Sequence, residues 1–367
     1  MTLRLAIDGH VLTGKSQGSR TVLARLVEAL QAEGLADGIV LFSDDPEQIR
    51  QAYPGVEHRQ LPSSSSSRRL LLDFPRLLRR ERVRAALFTY IAPPLSPVST
   101  VVFMHDILPV THPQYFPWAF AFRFRLLTLL TLIQAKRVLT ISESSAASIR
   151  RLFPFASSKV HVLLLGPSFD EAVYKAAEPD PAKRPYILAV GRIERRKNIS
   201  LLVEAFLAAD LRDVDLVIVG SHHMGYEWKV PSDHRIRQLS NVSDAELIDL
   251  YRGASLFVFP SSAEGFGIPL LDATLFGLPV ISSSRTSMPE VAGSLATYFD
   301  PERDDARDVL RDLISGHFGS EPIRPGSAGD RQAQLAKFSW HRVPGASPRL
   351  SGTSPPRRRP SPVHRMS

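Results

Sequence analysis

Short apolar runs alternate with segments of helical period along most of the chain. Residues 3–8 (LRLAID) and 38–43 (GIVLFS) predict strands, separated by a Gly/Ser/Lys loop at 13–19 and a helix over 21–33. Five serines at 63–67 read as a flexible linker, and 70–82 as a basic helix. AALFTY (85–90) and TVVFMHD (100–106) predict strands on either side of a Pro-rich loop. A helix over 116–136, a strand RVLTIS (137–142), a helix opening at Ser142 and Glu143, and a strand KVHVLLLG (159–166) complete this series.

A second series follows a polar stretch at 174–185 (YKAAEPDPAKRP) that carries three prolines and predicts a linker. Its strands are YILAVG (186–191), DLVIVG (215–220), RIRQL (235–239), SLFVFPS (255–261) and LPVISS (278–283). Helices are predicted over 198–209, 244–252 and 268–276. Alternating strands and helices imply parallel sheets with crossover connections, and fully apolar runs suit strands covered on both faces. The fold expected is α/β, with two doubly wound parallel-sheet domains, 1–175 and 176–340, facing a cleft. Ligands in such sheets bind outside the carboxyl ends of the strands.

The length of 367 residues fits two domains, and 44% hydrophobic with 22% charged residues excludes a wholly disordered chain. With no cysteine, disulfides, Cys-based zinc sites and thiol nucleophiles are excluded. The net charge of +8 invites a polyanion partner until it is located. Residues 341–367 hold six arginines and no acid, and residues 68–84 hold seven arginines against Asp73 and Glu81. The excess is two patches, and the Arg/Pro/Ser-rich tail lacks interleaved aromatics, so no nucleic-acid partner is expected. The tail abandons all periodicity and is expected to be disordered.

Asp8 interrupts the apolar N-terminal run, which argues against a secretory signal. The most apolar stretch, 116–133, is diluted by Arg123, Arg125, Thr128 and Thr131, so it reads as a buried or interfacial helix. A cytoplasmic protein is expected, possible contact with the inner face of the plasma membrane coming from the 68–84 arginines and the 116–136 helix; a solvated helix face reads equally well.

Four segments carry candidate chemistry. Residues 264–272 (EGFGIPLLD) follow a strand and open a helix, where two glycines permit close backbone approach and a helix N-terminus favours an anion. Glu264 and Asp272, eight positions apart, would lie about 80° apart by helical period, one at the loop before the helix and one two turns in, able to grip both ends of a sugar nucleotide; alone, the segment reads equally as a glycine turn with two surface acids. Residues 191–198 (GRIERRKN) place Arg192 and Lys197 at a strand end, suited to phosphate oxygens, although the Walker spacing is missing and a solvated helix start reads as well. His105 and Asp106 end a strand of the first domain, facing the cleft. The 13–20 loop holds Gly14 and Gly18, a weak pair that would approach a diphosphate or form an ordinary loop.

Together these segments resemble the retaining family 4 glycosyltransferases of GT-B fold, over roughly residues 1–340. The family's Glu-x7-Glu element is matched by Glu264 to Asp272, followed by Ala273, and its Gly-Arg…Arg-Lys-Asn element by Gly191, Arg192, Arg196, Lys197 and Asn198. Residues 277–293 (GLPVISSSRTSMPEVAG) are also family-like, while HDILP (105–109) and VLTISESSAASI (138–149) are similar to a subgroup of bacterial mannosyltransferases. The resemblance implies that Arg192 and Lys197 neutralise a departing diphosphate. Glu264 with Gly191, Gly265, Phe266, Gly267 and Ile268 would hold the donor sugar and phosphate. Asp272 would accept ribose hydroxyls, His105 would line the reaction centre, and Gly14 and Gly18 would close over the diphosphate. Val242, within 240–243, would lie where the base meets backbone groups.

The implied activity is transfer of mannose from GDP-mannose, or of another sugar from a UDP donor, to a growing polysaccharide or lipid-linked oligosaccharide. Retention of configuration is implied, with no metal and no cofactor. Two departures bear on it: Asp272 stands where the family has the longer Glu, and Phe338-Ser339-Trp340 is not followed by the amphipathic helix of the family. The composition after Trp340 reads as translation in a shifted frame. The alternative is a non-catalytic sugar-nucleotide binder or scaffold inactivated by its altered C-terminus.

Overall fold

The computed structural model describes residues 4–13, 18–63, 65–169, 171–174, 184–222 and 225–338. Gly14, most of the 174–185 linker with the proposed 175/176 boundary, and the 341–367 tail lie outside the described residues.

The first sheet has seven parallel strands: β1 (Leu5–Asp8), β2 (Ile39–Ser43), β3 (Glu57–Gln60), β4 (Ala85–Thr89), β5 (Ser99–Phe103), β6 (Arg137–Thr140) and β7 (Val160–Val162), in the order β3-β2-β1-β4-β5-β6-β7. The second has six: β8 (Tyr186–Val190), β9 (Asp215–Val219), β10 (Ile236–Leu239), β11 (Leu256–Phe259), β12 (Val280–Ser283) and β13 (Thr297–Phe299), ordered β10-β9-β8-β11-β12-β13. Both are doubly wound. The strand order reverses between β1 and β4 in one sheet and between β8 and β11 in the other. A crevice opens at the carboxyl ends at each such reversal.

The predicted strands are buried on both faces where the apolar run is unbroken: all five residues of β2 and all four of β11 are buried. Two strands escape the pattern. The polar sequence Glu57–Gln60 carries no apolar alternation, and Thr297–Phe299 is three residues long; each is an edge strand fixed by pairing with its neighbour. The helices Ala306–Phe318 and Ala328–Leu335 were not expected either. The five-serine segment is not wholly a linker, because Ser66–Arg68 already form a helical turn. That turn runs on through a π-turn at Arg69–Asp73 into the helix Phe74–Arg80.

Phe338, near the end of the described chain, is buried and packs edge-on against Phe266, with ring centroids 5.5 Å apart. The C-terminal segment therefore supports the 264–267 loop. No helix among the described residues is long and apolar enough to cross a membrane.

Candidate active site

The loop after β8 reaches the second sheet's reversal point with Gly191 and Arg192, then forms a short 3-10 turn, Arg195–Lys197. Asn198 closes that turn in the left-handed region (φ 51°), and its amide donates to the Ser262 hydroxyl at 2.7 Å. The Ser262 N–H donates to the Arg196 carbonyl at 2.8 Å. These bonds lace the turn to the segment after β11, which is why two elements far apart in sequence present their charges together.

Glu264 is the centre of that charge cluster. Arg196 Nη1 lies 2.8 Å from Glu264 Oε2, Lys197 Nζ pairs with Glu264 Oε1, and Arg196 Nη2 lies 2.7 Å from Glu194. Burial alone would raise the Glu264 carboxyl, but the Lys197 and Arg196 charges outweigh it and hold the pKa down at about 2. Burial also lowers the Lys197 ammonium against the opposing pull of Glu264. Glu264 is thus a fixed anion at neutral pH, paired with Arg196 and Lys197, while Arg192 lines the same cavity.

The 264–267 loop is held by its carbonyls. The Ser142 hydroxyl donates to Gly265 O at 2.7 Å and that of Ser145 at 3.3 Å, while Ser287 donates to Glu264 O and Phe266 O at 3.2 and 2.8 Å. The N–H groups of Gly265, Phe266 and Gly267 make no hydrogen bond among the described residues, and all three residues line the cavity described next. Gly267, at φ 105°, adopts a backbone that other residues avoid, and starts the helix Ile268–Leu275. A run of inward amides at a helix start is a site for an anion.

These groups line a cavity of about 510 Å3 between the two sheets, within the size range of small-molecule sites. Its opposite wall comes from the first domain: Gly18 and Ser19 at the start of the helix Gly18–Ala32, Tyr90 after β4, and His105 and Asp106 after β5. His105 is buried between Phe103 and Tyr90, with ring centroids 4.8 and 5.0 Å away. Burial pushes its pKa down to about 4, so the ring is neutral at pH 7. Its Nε2 has no protein partner among the described residues. Burial raises the Asp106 carboxyl as well, against the Leu108 N–H and the Arg196 charge.

The cavity therefore gathers His105, Arg192, Lys197, Glu264, Gly18, Gly265, Phe266, Gly267 and Ile268 in its lining. Gly191 sits just behind, where an added Cβ would lie 3.6 Å from the Lys197 side chain. Two residues are not brought there. Asp272 is buried below the helix start, where it accepts Ser168 N–H at 2.9 Å, Ser168 Oγ at 2.6 Å and the Tyr174 hydroxyl at 3.0 Å. Burial nevertheless raises its pKa to about 6. Glu264 lies in the loop before the helix and Asp272 within it, as expected, so the 80° angle describes no pair on one helix. Val242 is half-buried against the core, and the N–H of neighbouring Ser243 is taken by Glu246 in a capping box.

Several residues of the site carried no sequence signal: Tyr90, Glu194, and the hydroxyls of Ser142, Ser145 and Ser287. Serines are common in loops, and only the packing shows which carbonyls they hold.

Two family models match the chain, "Glycosyltransferase Family 4" over residues 16–166 and "Glycosyl transferases group 1" over 170–317. The chain belongs to the family 4 glycosyltransferases. Among curated relatives of this glycosyltransferase, the O-antigen chain mannosyltransferase B of Escherichia coli is 30% identical over 363 residues, covering 90% of this chain and 93% of the relative. Its fold is GT-B. It superposes on the sucrose-phosphate synthase of Thermosynechococcus elongatus with a TM-score of 0.71 at 18% identity, over 92% of this chain and 95% of the other. The Anabaena protein HepE, solved with UDP and glucose, gives 0.66 at 17% identity, over 92% and 96%.

Proposed function

We propose that this glycosyltransferase moves mannose from GDP-mannose to a growing polysaccharide or lipid-linked oligosaccharide, with retention of anomeric configuration and without a metal ion. The observation that carries the reading is the meeting of Arg192, Arg196 and Lys197 with the inward amides of Gly265, Phe266 and Gly267 on one cavity wall. A diphosphate leaving group develops negative charge as the sugar centre becomes cationic. Donors fixed where that charge appears lower the barrier, and in this reading the three cationic side chains supply that charge. Neutral His105 faces them from the other domain, where it can accept or donate a hydrogen bond to the sugar. In this reading the acceptor enters from the first domain, and mannose follows from the O-antigen relative.

The helix Trp118–Gln134 supports contact with a lipid surface, since Trp118, Phe122, Leu126 and Ile133 are exposed beside Arg123 and Arg125. The deciding experiment is a thermal-shift series with GDP, UDP and their sugars, followed by NMR of the product anomer. GDP and GDP-mannose should raise the midpoint, with slow donor turnover visible in water. No stabilisation by any nucleoside diphosphate would overturn the reading.

A further inference from the structure

Two helices begin at the cavity described above, one from each domain. Gly18 and Ser19 open the helix Gly18–Ala32 on the first domain's side, and the 264–267 loop leads into Ile268–Leu275 on the other. Further along, both helices are tied to one residue, Ser168, on the stretch that follows β7. Leu165, shortly before it, is itself part of the cavity lining. The Ser168 carbonyl accepts from Arg25 Nη2 at 3.2 Å, about two turns along the first helix. Its N–H and hydroxyl donate to the two carboxylate oxygens of Asp272 at 2.9 and 2.6 Å, in the second turn of the other helix.

The Asp272 end of this connection is firmly held. Asp272 is only 2% exposed, and a carboxylate buried so deeply is costly unless hydrogen bonds satisfy it. The Tyr174 hydroxyl supplies a third donor at 3.0 Å and accepts the Phe169 N–H at 3.2 Å. The rings of Phe169 and Tyr174 pack on Phe276, just past the helix, with centroids 6.1 and 4.8 Å away. Hydrogen bonds to a charged acceptor are stronger than neutral ones, so Ser168 moves with the helix that carries the anion-binding loop. The Arg25 bond then joins that unit to the helix facing it across the cavity. None of Arg25, Ser168 and Asp272 is part of the cavity lining.

We infer that Ser168 is a positioning residue for sugar transfer: the Arg25–Ser168–Asp272 strut fixes the separation of the two helix starts, and with it the distance from the anion-binding amides to the first domain's wall. The inference rests on the glycosyltransferase reading above. It gives Asp272 a part other than the ribose contact that the family likeness implies. Because the strut lies outside the cavity, it acts on the geometry of the reacting groups and leaves nucleotide affinity alone.

The test uses the full chain with GDP or UDP, whichever stabilises it, and the matching mannose or glucose ester as donor. Calorimetry gives nucleotide affinity, and nucleoside diphosphate released at saturating donor gives kcat, both taken well below the thermal midpoint. Ser168→Ala and Arg25→Met each break the strut from one side. Each should lower kcat by about tenfold or more, the scale on which small misplacements act, with the nucleotide Kd within about twofold of the parent. Because the two bonds act in series, the double variant should be no slower than the slower single. Arg25→Met, at a partly exposed position, guards against a misfolded Ser168 variant. A parent-like kcat in well-folded Ser168→Ala, or in Arg25→Met if the former does not fold, overturns the inference. A fall in nucleotide affinity that matches the fall in kcat also overturns it, since these residues would then hold the nucleotide itself. So do losses that add in the double variant. Failure here with nucleotide binding intact leaves the donor reading standing, whereas absence of nucleotide binding in the parent defeats that reading and this inference with it.

Discussion

The hydroxyl of Ser142 donates to the carbonyl of Gly265 at 2.7 Å, joining the first sheet's domain to the loop that carries Glu264 in the second. The same oxygen accepts the Ser145 N–H at 3.0 Å and so caps the helix Glu143–Leu152. Beside it, Glu290 of the second domain accepts the N–H groups of Glu143 and Ser144 at 2.8 and 3.2 Å. One helix N-terminus is thus finished by one side chain from each domain. Ser142→Ala removes a cap and a cross-domain bond together. It should lower stability by about 1–2 kcal/mol and lower donor turnover, measured by denaturant titration and by nucleotide release. Unchanged turnover would show that the link does not position the loop.

Gly265 sits where the two domains touch. A Cβ there would lie 2.7 Å from Asp106 Oδ2 across the cleft. Its requirement for glycine comes from that approach and not from its own dihedral. Gly265→Ala should therefore hold the domains apart while each still folds. Small-angle scattering should report a larger radius of gyration, with turnover reduced by roughly tenfold or more, the scale on which small misplacements act. A variant as compact and active as the parent would refute the contact.

Glu264 neutralises part of a buried cationic pair. Glu264→Ala leaves Arg196 and Lys197 without their shared partner, and a broken buried pair costs about 3–5 kcal/mol. Glu264→Gln keeps the shape but not the charge, so it should cost less. Both should abolish most donor turnover. Thermal midpoints in the order parent, Gln, Ala are expected; a midpoint for Glu264→Ala equal to that of the parent would mean the charge cluster is not coupled.

His105 gives a pH signature. Its folded pKa of about 4 lies below the ordinary value of 6.5 because burial disfavours the charged ring. The stability it contributes is complete above pH 6.5 and is lost as pH falls from 6.5 towards 4, by on the order of 3 kcal/mol. His105→Asn carries no such proton. The fall in midpoint between pH 7 and pH 5 should be smaller in the variant than in the parent, and equal falls would contradict a buried neutral ring.

Much of this was legible in the chain itself. Short apolar runs such as DLVIVG and SLFVFPS suit strands covered on both faces, and their alternation with helical segments implies crossovers, so two parallel α/β sheets were legible from local pattern. The residues Glu264, Lys197 and His105 were visible because each stands at the end of such a run. Strands such as Glu57–Gln60 were invisible, since an edge strand owes its shape to the neighbour it pairs with and not to its own alternation.

The site's finer arrangement belongs to tertiary structure alone. Spacing put Glu264 in the loop before the helix and Asp272 within the helix, as the folded chain has them, but it could not show that Asp272 is taken up by Ser168 and Tyr174. The pairing of Arg196 and Lys197 with Glu264 joins the turn after β8 to the loop after β11, segments that are distant along the chain and meet only in the fold. Sequence settles periodicity and residue type, which are local. Which charges meet, and which are left for a ligand, is settled by the non-local packing that sets distance and desolvation.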